Sequence, residues 1–227
     1  MKAHLKYYYK VLVNSHKYIA PTLFFIIAVM STYLATIDRI FYGFQVSAIF
    51  MYITAIWITY NFNEIEDSTQ KQLVLLNTNN EDKYYIMRIS FLFIFVLILD
   101  LISIIFPIFI GSFKENVNII DILIGFLMQA VIGFLGISVA NFFESKILKD
   151  RKAALMILLL IMVLSCIQGL VIKDQPAIKY VMLILPPAYY VYQSEGMQLL
   201  ISLGGALVYS FILIFIYIKL SIKKKFW

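Results

Sequence analysis

Six apolar runs, each near or above twenty residues, constrain this chain more than any other feature. They cover residues 18–36, 44–61, 89–110, 117–143, 153–172 and 197–218. About 20 helical residues, rising 1.5 Å each, cross the ~30 Å hydrocarbon layer of a bilayer. The 227 residues suffice for one soluble domain or for five to seven spans. Composition decides between the two. Apolar residues make up 62%, against roughly 45–50% in soluble domains, and charged residues 14%, against roughly 25%. So little charge cannot cover a water-facing surface, and the mean hydropathy of +0.87 agrees. The expected fold is an all-α integral membrane protein, with residues 1–227 as a single transmembrane domain of six helices.

The segments outside the runs orient it. In residues 1–17, Leu5, Tyr8, Tyr9, Leu12 and Val13 share one helical face, and Lys2, Lys6 and Lys10 another. That pattern predicts an amphipathic helix lying in the interface, lysines toward phosphate and aromatics toward acyl chains. No cleavage site follows the first run, which is therefore expected to be retained. With the N-terminus inside, the inner segments hold 15 Lys and Arg residues and the outer ones only four, Arg39, Lys114, Lys173 and Lys179. Positive charge collects on the cytoplasmic side, so both termini are expected in the cytoplasm of a plasma membrane. The net charge of +6 then reads as a topology signal rather than as a nucleic-acid-binding surface. The abundance of Ile, Lys, Asn and Tyr hints at a bacterial source.

Two loops carry more than connection. The inner loop, residues 61–88, holds Glu64, Glu66, Asp67, Lys71, Glu81, Asp82 and Lys83 around four consecutive apolar residues, Leu73, Val74, Leu75 and Leu76. A solvated linker has no use for such a run, so it is expected to pack on the spans, the membrane surface or another protein. The outer segment, residues 173–196, contains a short apolar stretch broken by Pro186 and Pro187. It reads as a half-helix or re-entrant piece, with Tyr189, Tyr190 and Tyr192 as an interfacial belt or an outer gate.

Catalytic groups are scarce. His4 and His16 are the only histidines, both outside the spans, and Cys166 is the one cysteine. No zinc-protease helix motif, no nucleophile elbow and no phosphate-cradling Gly-rich loop with Lys occurs. No metal site and no enzyme activity are expected in this chain, and energy from ATP would have to come through a partner. Asp100, in the middle of the third run, is the sharpest polar residue. A carboxylate there costs about 2.5–3.5 kcal/mol to insert, so it should face the bundle interior. It reads either as part of a translocation path or as a hydrogen-bond partner of Gln129 or Gln168.

The whole layout resembles the membrane subunit of type-2 ABC exporters. The likeness is carried by EIEDSTQKQLVLLNTNNEDKYYIMR at 64–88 and LILPPAYYVYQ at 183–193. Glu64, Thr69, Leu73 and Arg88 match positions that recur in that family's inner loop. Ser68 stands where Gly is common there, and the Pro usual after the leucines is missing. The resemblance implies a coupling helix that docks on a cytoplasmic ABC ATPase subunit, which binds the ATP and Mg. Glu64, Thr69 and Leu73 through Leu76 would form that contact. It also implies a second permease subunit, identical or paralogous, and outer half-helices around Pro186, Pro187, Tyr189 and Tyr190. The richness in Ile, Phe and Tyr suits a hydrophobic or amphipathic cargo, such as a peptide, bacteriocin, drug or lipid. Small peptide-toxin and bacteriocin-immunity exporters are similar in size. Two other readings compete: a non-transport accessory or immunity protein, and an ion-coupled carrier that uses Asp100.

Overall fold

A computed structural model describes residues 2–34, 37–66, 68–78, 80–114, 117–144 and 150–223. Among them the chain is almost entirely helical. Helix α1 runs Lys2–Ser15, α2 Ile19–Tyr33, α3 Ile40–Asn63, α4 Ser68–Thr78, α5 Glu81–Ile110, α6 Ile119–Asn141, α7 Arg151–Asp174, α8 Lys179–Met182, α9 Ala188–Gln193 and α10 Gly196–Lys223. Five of these, α3, α5, α6, α7 and α10, are long and apolar enough to cross a membrane. The molecule is thus compatible with a multi-pass membrane protein.

The first apolar run does not form the full span expected at 18–36. Helix α2 has 15 residues, which at 1.5 Å each reach about 22 Å, short of the hydrocarbon thickness. The chain leaves the helix because its next residues are tied sideways. Ile37 N donates to Ser112 O at 2.9 Å, Lys114 N donates to Ile37 O at 3.3 Å, and Ser112 Oγ donates to Tyr33 O at 2.8 Å. This loop-to-loop clasp joins α2–α3 to α5–α6. Helix α1 precedes α2 at 84°, across a turn in which His16 takes a φ of 55°.

Four of the other five runs are shorter than their helices, in part because sequence hydropathy misses polar first turns, whereas the run 117–143 overshoots α6 by two residues at each end. Helix α5 begins eight residues before the expected 89. Asn80 caps it by accepting from Lys83 N at 3.1 Å, and Glu81 and Asp82 suit the positive end of the helix dipole. Asp150 caps α7 in the same way, accepting from Lys152 N at 3.0 Å and Ala153 N at 3.3 Å. Helix α5 stops at Gly111, whose φ of 70° suits a left-handed C-terminal cap.

Helix α6 is the centre of the bundle. It packs on α3, α5 and α10, and most of its residues are buried. Gly136 brings it close to α3: a Cβ there would lie 3.0 Å from the Tyr52 carbonyl oxygen and 3.0 Å from the Ala55 Cβ. Such close approach is how helices gain packing contacts where no water drives association. Helices α7 and α10, by contrast, expose long apolar rows, including Met156, Leu160, Val163 and Leu170 on α7.

The amphipathic face of α1 does more than rest on lipid. Tyr8 and Leu12 are buried, while Lys6 and Lys10 are exposed. The Tyr8 ring sits against Phe62, Tyr84 and Phe91, with centroids 5.9, 6.3 and 5.9 Å away. Its apolar stripe therefore covers the ends of α3 and α5, leaving Tyr9 outward.

Candidate functional site

Helices α1 and α4, the start of α5 and α7, and the ends of α3, α6 and α10 gather at one end of the molecule, here called the basic end. Beneath α4 lies the densest polar cluster among the described residues. Asn63 closes α3, Glu66 follows it, Lys71 is on α4, Arg88 is two turns into α5, Glu144 follows α6, and Tyr217 is on α10. All six are buried.

Glu144 is the hub. Its Oε1 accepts from Lys71 Nζ at 2.5 Å and from Arg88 Nη1 at 3.0 Å, and its Oε2 accepts from Tyr217 Oη at 2.7 Å. Arg88 Nη2 donates to Asn63 Oδ1 at 2.9 Å. Its Nε lies 4.0 Å from Glu66 Oε2, which also accepts from Tyr84 Oη at 2.7 Å. The guanidinium stands 5.5 Å from the Phe62 ring centroid, a cation–π distance. Lys71 Nζ further donates to Asn63 O at 3.4 Å. Two cations and two carboxylates thus share one enclosed space, and their formal charges cancel. Burial pushes the Glu144 carboxyl up, but Arg88 and then Lys71 outweigh it and hold its pKa down at about 2. Lys71 is pushed below the ordinary lysine value, first by burial and then by Arg88 beside it, with Glu144 opposing.

The arrangement fastens α4 to the bundle. Along α4, Lys71, Val74, Leu75 and Thr78 face inward at i, i+3, i+4 and i+7. Val74 and Leu75 pack against the core, and Thr78 Oγ1 lies 3.0 Å from His4 Nε2 of α1. Leu73 points the other way and is 62% exposed. The apolar run 73–76 is therefore divided. Two residues hold α4 to its own chain and Leu73 is offered outward, while the side chains of Thr69 and Leu76 lie outside the described residues. Glu66 and Lys71, expected as a polar rim around the apolar run, instead lie inside the cluster. Glu64, half-buried, has its Oε1 3.8 Å from Arg151 Nε.

The intramembrane polar residues do not form one group. Asp100 is wholly buried, and neither carboxyl oxygen has a hydrogen-bond partner. Gln129 accepts instead from Ser103, one turn along α5, and Ser103 Oγ donates to Asp100 O at 2.9 Å. Gln168 is elsewhere and donates to the Met182 carbonyl. The expected bond from Asp100 to either glutamine is absent: Gln129 Nε2, the donor it would need, has no partner of its own, and Gln168 Nε2 is given to the Met182 carbonyl.

Gln168 belongs to the anchorage of the proline-broken segment. Pro186 and Pro187 separate α8 from α9, Tyr192 donates to the Cys166 carbonyl, and Tyr209 Oη donates to Ile184 O at 2.8 Å. Cys166 lies eight residues from the end of α7, so α9 reaches about 12 Å along that helix. Tyr189 meets Tyr190 and Tyr192 edge to face, with centroids 5.6 and 5.7 Å away, and covers Gly169.

The chain has no match among family models, curated proteins or solved structures.

Proposed function

We propose that the chain is the permease subunit of an ATP-driven exporter of the type-2 ABC kind, with α3, α5, α6, α7 and α10 as full spans and the shorter α2 as a sixth crossing where the bilayer thins around it. On this reading α1 lies in the cytoplasmic interface, α8 and α9 form an outer re-entrant element, and the basic end faces the cytoplasm. A separate ATPase subunit binds ATP and Mg and drives a second permease subunit together with this one. The cargo is hydrophobic or amphipathic, and Asp100 and Gln129 lie on or beside its path.

One observation carries the reading. Helix α4 is short, stands at the basic end, offers Leu73 outward, and is bound through Lys71 to a buried network that reaches α3, α5, α6 and α10. A lever needs a contact surface on one side and a stiff joint on the other, and α4 has both. Leu73→Asp with Leu76→Asp should release a co-purifying P-loop ATPase and stop export while leaving the chain in the membrane. Retention of the ATPase by that variant removes α4 as the contact.

The unpartnered carboxyl of Asp100 favours a second reading, an ion-coupled carrier. That reading expects transport without ATP and its loss in Asp100→Asn.

A further inference from the structure

A groove of about 790 Å³ runs between α5 and α10 on the outside of the bundle. Ile86 and Phe93 of α5, Phe134 of α6, and Phe211, Phe215 and Ile218 of α10 line it, and Ser90 is its one polar lining residue. From 86 to 93 and from 211 to 218 the walls extend about 10 Å. Phe93, Phe134 and Phe211 join edge to face along it, with centroids 5.1 and 5.4 Å apart. The volume and the apolar lining suit an elongated hydrocarbon.

The groove has a charged end. On α10, Lys219 follows Phe215 by one turn and Lys223 follows Lys219 by another, each step turning about 40° around the helix, so the wall that lines the groove leads to two lysines beside its basic end. Both lysines are exposed. Lys219 Nζ stands 5.7 Å from the Phe215 ring centroid, beside the Phe215 end of the groove. On the opposite wall Lys83 precedes Ile86 by one turn, partly offset by Asp82 beside it. An occupant must be apolar for about 10 Å and negative just beyond.

We propose that this groove binds one acyl chain of an anionic phospholipid, with the headgroup phosphate held by Lys219 and Lys223. The proposal rests on the chain being embedded in a bilayer and is independent of any transport activity. Lysines at a membrane surface favour anionic lipid by roughly five-fold each, and here two act on one headgroup.

The test uses the full chain in bilayers, with Phe211→Trp as its sole tryptophan in a Trp57→Phe, Trp227→Phe background. Phosphatidylglycerol and phosphatidylcholine with the same brominated chains are the probes, and tryptophan quenching reads occupancy. The expected result is quenching by both, with a preference of roughly five- to twenty-fold for phosphatidylglycerol. Lys219→Gln with Lys223→Gln should bring that preference to about one while quenching persists. Equal quenching by the two headgroups in the lysine-containing chain, or a preference that survives the double substitution, overturns the site. Absence of quenching by either lipid also overturns it, because the groove is then covered by protein, such as a second copy.

Discussion

Glu144 holds three donors on one carboxylate, so its charge matters more than its volume. Glu144→Gln keeps the shape but leaves Lys71 and Arg88 buried opposite Glu66 alone. Breaking a buried pair in this way costs about 3–5 kcal/mol, which thermal unfolding in detergent should read as a large drop in midpoint. Adding Lys71→Met restores one cation to one carboxylate and should recover part of the loss. If Glu144→Gln unfolds like the parent, the network is not holding α4. The same residue sets an acid limit. Its folded pKa, about 2, lies below the ordinary value of 4.5, so the ionised form is bound more tightly in the folded state. That stability is fully present above about pH 5 and is lost as pH falls through 4.5 toward 2. Glu144→Gln should lack this part of the acid transition. The residue types here are legible in the chain, and Arg88 by its place in the loop pattern, but the pairing is not. Arg88 is 56 residues from Glu144, and Lys71 is 73. Glu144 directly follows an apolar run and reads as the start of a solvated loop until the helices are assembled.

The elements repeat the lesson at a larger scale. Periodicity and length located the long helices, because about 20 apolar residues have few other uses. Their polar first turns escaped, since Asn80 and Asp150 act through backbone N–H groups that hydropathy does not weigh. The shortness of α2 escaped because the clasp between Ile37 and Ser112 is a contact between distant loops. The break at Pro186 and Pro187 was legible, since two successive prolines remove two backbone donors and crowd the turn before them, whereas the single Pro107 is carried within the last turn of α5. What the break serves was not: α9 is seated by Gly169, where a Cβ would meet the Tyr189 ring. Gly169→Ala should therefore push the ring off α7 and cost about 1–3 kcal/mol, the usual penalty for overpacking. Tyr189→Leu in the same background should return most of it. A Gly169→Ala chain with unchanged thermal unfolding would mean that α9 is free to shift without cost, and that the tyrosine contact does not fix it.

At the scale of the whole molecule, charge and packing agree on one axis. The basic end carries Lys6, Lys10, Lys17, Lys83, Arg151, Lys152, Lys219 and Lys223, whereas Arg39, Lys114, Lys173 and Lys179 mark the other. The opposite end closes with the exposed pair of Lys114 Nζ and Asp38 Oδ1 at 2.6 Å. Because it is exposed, that pair contributes little stability but reports on sidedness. Positive charge resists transfer across the membrane, so the proposed orientation can be read chemically. In a Cys166→Ser background the chain has no native thiol. Asp38→Cys should then react with a membrane-impermeant maleimide in intact cells, and Lys152→Cys only after permeabilisation. The reverse pattern would place α4 and its buried joint outside the cell, where no ATPase could reach Leu73, and the exporter reading would fall with it. Labelling of Asp38→Cys alone leaves α4 on the cytoplasmic face, where the lever argument requires it. Lys219 and Lys223 then also face the inner leaflet, whose anionic lipids the groove between α5 and α10 is shaped to select.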